Sequence, residues 1–472
     1  MVARTLFRDW EHEGGTARFV VLCLFVACVF AMGGGARADI QSLVILRPLA
    51  VLFAGWAVFV MSAADRRRLG IPALLLALLA ALQIAQLVPL PQAIWAQLPQ
   101  RAAIAAIGAQ MGLSDIWRPL TLSPVRTFNS LFALSVPAAC LLLVAAQTPQ
   151  WRRRIMLAFL AAAGFSALWA ALQLSGSARG PLYLYRITNS GEAVGLFANR
   201  NHQAVFVACG TVIWAWYLAQ VNPRMPFGGA KAAAAFGAYL SSVALLVITG
   251  SRSGLLLELL LTPLAMWFLL QSEFVRHGFQ MGRVQVRGAW IVVAFVAALA
   301  LLILLMLALS RSMAIDRFAE LFQGDEVDEL RASISGILLQ MIRDFMPFGS
   351  GFGSFEQVFL LYEPVDLLTR RYVNQAHNDV AQVLIEGGAF AALLLVGFAV
   401  WLVRRTIWIL RRTEGEERRL LILCAALVIA LCLACLPDYP LRTPALMAFT
   451  AALCGMIEAA FRDHLTDVGD VA

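Results

Sequence analysis

Polar and titratable side chains are scarce enough in this chain to be weighed one group at a time. The most informative group is Asn374-Gln375-Ala376-His377-Asn378-Asp379-Val380-Ala381-Gln382, followed closely by Glu386-Gly387-Gly388. An imidazole titrates near neutral pH and can take a proton from a hydroxyl as that hydroxyl attacks. Asn378, Asp379 and Gln382 are candidate binding residues beside the candidate base His377, a surface able to orient a sugar by hydrogen bonds. If Asn374 to Glu386 is helical, His377 shares a face with Asn374, Ala381 and Leu384, while Asn378, Gln382 and Glu386 line the adjacent face.

A second group consists of arginines. Arg200 lies in Gly195-Leu196-Phe197-Ala198-Asn199-Arg200-Asn201-His202, Arg252 in Thr249-Gly250-Ser251-Arg252-Ser253-Gly254, and Arg442 in Pro437-Asp438-Tyr439-Pro440-Leu441-Arg442-Thr443-Pro444. A guanidinium keeps its charge and presents a planar fork of donors that fits diphosphate or carboxylate oxygens. Several converging would make an anion site, with Asn199 and Asn201 flanking Arg200 as further substrate-binding candidates. The alternative is that each snorkels to lipid headgroups or pairs with a neighbouring acid, Asp438 in the case of Arg442.

The elements that must position these residues are membrane helices. Hydrophobic residues make up 61% of the chain and charged residues 14%, and the apolar residues fall in runs long enough to cross a bilayer. Runs begin near Phe19, Leu43, Ile71, Phe128, Ile155, His202, Ala232, Gly254, Ala289, Ala389, Leu420 and Pro444, which predicts an all-α polytopic membrane protein with about twelve transmembrane helices. Residues 1–309 hold helices one to nine, 310–388 a large periplasmic loop with short helices, and 389–472 helices ten to twelve with a cytoplasmic C-terminus.

Orientation follows from the basic clusters at Arg66 to Arg68, Arg152 to Arg154, Arg224 with Lys231, Arg276 with Arg283 and Arg287, and Arg404 to Arg419, which fall in alternate loops. The positive-inside rule makes those loops cytoplasmic and the 310–388 segment extracytoplasmic. The net charge of +8 thus reports topology, and nucleic-acid binding does not follow from it. On this topology His202 and His377 are the outer histidines, and His202 is a second candidate base; His12, His277 and His464 fall inside. All eight cysteines sit in predicted spans, where a thiol acts as a small apolar group, so no disulfide framework is implied.

Three outer segments are long enough to hold structure: Pro91 to Arg126, Ser175 to Asn199, and Ser310 to Gly388. In the last, Arg317 to Phe322 fits an amphipathic helix, and Asp325 to Glu329 an acidic loop rather than a metal site. Ile334, Ile337, Leu338, Met341 and Ile342 give Leu330 to Phe345 a helical period. Pro347 to Gly353 fits a turn better than a phosphate-cradling loop, since no strand precedes it. Glu258 lies inside an apolar run, where a carboxylate is costly, and the sequence does not decide between pairing with an arginine and relaying a proton. At the N-terminus Ala36-Arg37-Ala38 is similar to a signal-peptidase site, and a retained first helix is the expectation.

Taken in order, these motifs resemble the O-antigen ligase and polysaccharide polymerase family of bacterial membrane glycosyltransferases. The resemblance covers most of the chain. It is carried by Gly195 to Asn201 at a span entrance, Ser251-Arg252 in a tight hairpin, Gly349 to Glu356 in a large loop, and His377-Asn378 followed by Gly387-Gly388. Asp438 to Pro444 is similar to members associated with exopolysaccharide clusters, which tilts the choice toward polymerase. Two departures stand out: no proline lies between the asparagines around Arg200, and Ala391 stands where glycine, tyrosine or a small polar residue is common.

The resemblance implies an inner-membrane, multi-pass enzyme of lipopolysaccharide or exopolysaccharide biosynthesis whose active site faces the periplasm. It implies a glycan donor on undecaprenyl diphosphate, an acceptor that is either lipid A core or the next lipid-linked glycan, and no cofactor or metal. Arg200 and Arg252 would hold the diphosphate and His377 would act on the acceptor. Membrane lipids and a polysaccharide assembly complex are the remaining expected partners. Two rivals remain: a transporter or flippase of the lipid-linked glycan, which should show repeated halves and broken helices, and a scaffold subunit indifferent to loss of His377.

Overall fold

A computed structural model describes residues 2–222, 225–277, 279–281, 284–286, 326–365 and 373–469. The protein is an all-α polytopic membrane protein: nine helices among the described residues are long and apolar enough to cross a bilayer. Two further predicted runs form the helices Arg200–Leu218 and Gly415–Ala434. Both open on polar turns, Arg200 to Gln203 in the first and Glu416 to Arg419 in the second. The run from Ala289 and the helix expected over Arg317 to Phe322 lie outside the described residues. The described strands form two short antiparallel pairs, Pro89–Leu90 with Arg118–Pro119 and Phe279–Met281 with Val284–Val286.

The chain divides into two compact units, each drawn from three segments. The first comprises residues 1–36, 149–325 and 412–434. Its centre is the Arg200–Leu218 helix, against which pack Arg252–Gln271, Gly228–Ile248, Pro149–Ser175 and Gly415–Ala434. A helix apolar on most sides is stable only when wrapped by others, and residues from His202 to Ile213 are buried without a break. Gly254 permits the closest approach, since a methyl there would collide with Ala204. Phe30, Phe159, Phe197 and Phe206 form an aromatic knot with ring centroids 4.7–6.4 Å apart.

The second unit comprises residues 37–148, 326–411 and 435–472. Leu43–Val60 and Pro444–Gly469 both pack on Ser135–Ala145, and Gly70–Leu87 packs on Pro444–Gly469 and Pro124–Ala133. The predicted period of the loop is realised in the helix Glu326–Phe345, whose Ile334, Leu338, Met341 and Phe345 form a core with Phe355, Val358, Phe359, Val373, Ala376 and Ile385. Glu326 to Glu329, expected in an acidic loop, lie instead in this helix, and Asp325 lies outside the described residues.

The helix Asp379–Arg412 is broken at Gly388, with φ 60° and ψ −147°, a conformation confined in practice to glycine. The Pro347 to Gly353 segment fills the break. Ser350 N–H donates to the Ile385 carbonyl and Gly351 N–H to that of Glu386, both at 2.9 Å, while Ala389 N–H donates to Pro347 O at 2.8 Å. Gln86, on a neighbouring helix, donates to Glu386 O and accepts from Phe352 N–H. The glycine-rich segment is therefore a turn whose amides are consumed by protein carbonyls, as the sequence predicts. Arg101, fully buried, donates to the Pro99, Leu120 and Gly349 carbonyls. Burial pulls its pKa down to about 10.

Candidate functional site

In the first unit the motif around Arg200 is a folded launch for a helix. Gly195 takes φ +57°, and a side chain there would strike Gln203 and Ser166. Buried Gln173 clamps the turn, accepting from the Val194 and Gly195 amides and donating to the Leu182 and Gly195 carbonyls. Ser166 accepts from Leu196 N–H at 3.1 Å and donates to Gln203 at 2.6 Å. Asn199 then caps the helix, its Oδ1 accepting from Asn201 N–H at 2.8 Å, as short polar side chains do at helix starts. Asn199 and Asn201 thus shape the entrance at which the sequence placed them.

Arg200 is the first residue of its helix and Arg252 the first residue of the helix packed against it. The Arg200 guanidinium lies beside Gly250, at the hairpin that leads into Arg252. Ser251 caps the second helix by accepting from Gly254 N–H at 3.2 Å. Two helix N-termini, each carrying partial positive charge, therefore open side by side on two arginines. That arrangement is unfavourable for the helices and favourable for an anion. Arg200 Nη1 reaches Glu192 Oε1 at 3.3 Å, with both side chains partly open to solvent, and Arg200 N–H donates to Asn189 Oδ1 at 3.0 Å. Sequence reasoning missed Glu192 and Asn189, which lie in the loop ahead of the Arg200–Leu218 helix with no periodic pattern to mark them. His202, a candidate base by sequence, is 1% exposed and belongs to the core. Glu258 accepts from Thr211 Oγ1 at 2.8 Å.

In the second unit the His377 segment is not helical. The helix begins at Asp379, and His377 precedes it with φ +50°, a left-handed conformation that histidine tolerates better than most side chains but that still carries strain. The expected shared face of His377 with Asn374, Ala381 and Leu384 is therefore absent. Asn378 ends the loop as the cap, its Oδ1 accepting from Ala381 N–H at 2.9 Å. Gln382 reaches back into the loop: it accepts from Ala376 N–H at 2.9 Å and donates to Gln375 Oε1 at 2.7 Å and Glu386 Oε1 at 3.0 Å. The polar residues picked from sequence come together here, engaged with one another and with the backbone.

Arg442 belongs to the same cluster. Its Nε donates to Asp379 Oδ1 at 2.7 Å, and its Nη1 lies 3.5 Å from Glu386 Oε2. The sequence suggested Asp438 as its neighbour, whereas these two contacts go to Asp379 and Glu386. Burial opposes the charge on Arg442, but the carboxylates of Glu386 and Asp379 outweigh it and hold the guanidinium above its usual pKa. Asp438 instead turns toward His377, its Oδ1 3.7 Å from Nδ1, while Tyr439 packs against the imidazole with centroids 5.0 Å apart at 67°. Asp379 N–H donates to the Cys435 and Asp438 carbonyls, which fastens the 435–442 loop to the start of the His377 helix.

Among the described residues no group of three or more histidine, cysteine or carboxylate side chains is placed to hold a metal ion. All eight cysteines are free thiols.

Residues 236–396 match the model of the family described as O-antigen ligase. The match takes in Arg252, His377 and the Gly387-Gly388 break; Arg200 and Arg442 lie outside it. It supports an O-antigen ligase-like family and a function of the O-antigen ligase or polymerase type. A comparison with curated proteins finds no match.

Proposed function

We propose that this O-antigen ligase-like membrane protein is a metal-independent glycosyltransferase that moves a glycan from undecaprenyl diphosphate to a sugar hydroxyl at the periplasmic face of the inner membrane. The observation that supports the reading is the pair of arginines at two adjoining helix N-termini, an arrangement that favours an anion such as a diphosphate. The acceptor hydroxyl oxygen attacks the anomeric carbon, the bond from that carbon to the diphosphate oxygen breaks, and the hydroxyl proton passes to His377. Negative charge grows on the departing diphosphate, and fixed guanidiniums and helix dipoles stabilise it without reorganising at the moment of reaction. General-base help of this sort is worth about 10²- to 10⁴-fold.

The product class depends on the acceptor: a second lipid-linked glycan makes the protein a polymerase, and lipid A core makes it a ligase. The test is conversion of purified undecaprenyl-diphosphate glycan by wild-type protein and by His377→Ala, with and without lipid A core. Turnover without core that disappears in the variant identifies a polymerase, and turnover only with core a ligase. Absence of turnover by folded wild-type protein in both arms overturns the enzyme reading and favours a flippase, assayed as movement of the lipid-linked glycan across a vesicle membrane.

A further inference from the structure

The loop that carries Arg442 contains a second charged residue, and the two have different partners. Arg442 is taken up by Asp379 and Glu386. Asp438, 2% exposed, is turned the other way, with Oδ1 accepting from Tyr439 N–H at 3.0 Å and standing 3.7 Å from His377 Nδ1. That Nδ1 is buried and makes no hydrogen bond, so the 18% exposure of the His377 side chain lies on its other atoms. The imidazole is thus held on one side by a carboxylate, on a second by the edge contact with Tyr439, and from below by a strained backbone.

We propose that Asp438 is the positioning residue for His377, selecting the tautomer with the proton on Nδ1, leaving Nε2 to take the acceptor's proton, and stabilising the imidazolium that results. The inference rests on the reading of His377 as the base. At 3.7 Å the contact is too long for a hydrogen bond but well within the range of a charge interaction that low-dielectric surroundings strengthen. Gain of a proton by His377 turns the pair into an ion pair and draws it together. Asp438 is not adjacent to His377 in sequence; it is delivered by a different loop, and the hydrogen bonds from Asp379 N–H to the Cys435 and Asp438 carbonyls hold that loop in register with the histidine.

Asp438→Asn isolates the charge, because the amide oxygen can still accept from Tyr439 N–H and the side chain keeps its shape. Two readouts, with the melting temperature as a control for folding, apply to full-length protein in lipid nanodiscs. The first is kcat and donor KM for glycan transfer. The second is the ¹⁵N signal of His377, assigned by its loss in His377→Gln, which distinguishes the two neutral tautomers. Expected are a fall in kcat of about ten- to a hundredfold, less than removal of the base itself, a donor KM unchanged within about twofold, an unaltered melting temperature, and a His377 signal that moves from the Nδ1–H form toward a mixture. An unchanged His377 signal overturns the proposal whatever the activity does. A changed signal with wild-type kcat overturns the catalytic part, provided His377→Ala is inactive. Full activity in His377→Ala instead removes the base reading on which the inference stands, and that failure is recognised without reference to Asp438.

Discussion

The two units solve opposite electrostatic problems with the same residue types. In the first, two arginines open two adjoining helices, and Glu192 is the carboxylate set against Arg200. In the second, one arginine faces two carboxylates, and a third carboxylate faces a histidine. The first arrangement brings guanidiniums to two helix starts and suits a group that becomes more anionic as a bond breaks. The second brings a carboxylate to an imidazole and suits a ring that gains a proton. An arginine in a membrane-edge motif is thus not by itself a sign of an anion site; its immediate carboxylates decide whether it binds something or holds the fold together.

The strongest way to break this comparison is to delete the arginine that the second unit has neutralised. Arg442→Ala leaves Asp379 and Glu386 buried without their cation, and loss of one partner from a buried ion pair costs about 3–5 kcal/mol. The expected outcome is a large fall in melting temperature. Adding Asp379→Asn and Glu386→Gln to Arg442→Ala should recover most of it, because the three side chains act as one unit. An Arg442→Ala protein of wild-type stability that has lost only donor affinity would place Arg442 with the substrate instead.

The next effect is smaller and falls on function. Arg200→Lys keeps the charge but loses the fork, which forfeits charge-assisted hydrogen bonds worth about 1.5–3 kcal/mol. We expect kcat/KM for the lipid-linked donor to drop by roughly ten- to a hundredfold, with stability changed by less than about 0.5 kcal/mol, as for partly exposed substitutions. A loss of stability as large as that of Arg442→Ala would erase the contrast between the two arginines.

How much of this the sequence exposes depends on whether a residue's role is set by neighbours in the chain or by distant ones. Helix periodicity is local, so the runs that became spans and the Ile334, Leu338 and Met341 face of Glu326–Phe345 are legible. Capping is also local, which is why Arg200 and Arg252 fall at helix starts as their motifs suggest. The left-handed His377 was not legible, because the helical pattern continues backward through Asn374 and only the docking of the chain decides where the helix stops. The partners of Arg442 were misjudged for a related reason. Asp438 is four residues away, before the short 3-10 helix Pro440–Arg442, whereas Asp379 and Glu386 are more than fifty residues distant and seven apart, so they lie about two turns along one helix. The interlock of Gly349 with Glu386 and Gly388 is likewise a contact between separate stretches, each of which reads as no more than a glycine-rich turn.

The smallest expected effect is the most diagnostic of sign. Glu192 pairs with Arg200 where both remain partly solvated, and such a pair contributes only about 0–1 kcal/mol to stability. Glu192→Gln should therefore leave the melting temperature nearly unchanged. If the first unit is an anion site, Glu192 competes with the diphosphate for Arg200, and its neutralisation should raise kcat/KM for the donor by up to about fivefold, the equivalent of that same 1 kcal/mol. The gain should shrink as salt is added, since screening weakens exposed charges. A decrease in kcat/KM would mean that Glu192 orients Arg200 for the donor instead of opposing it, and that the carboxylate belongs to the working site on the same terms as the buried acids of the second unit.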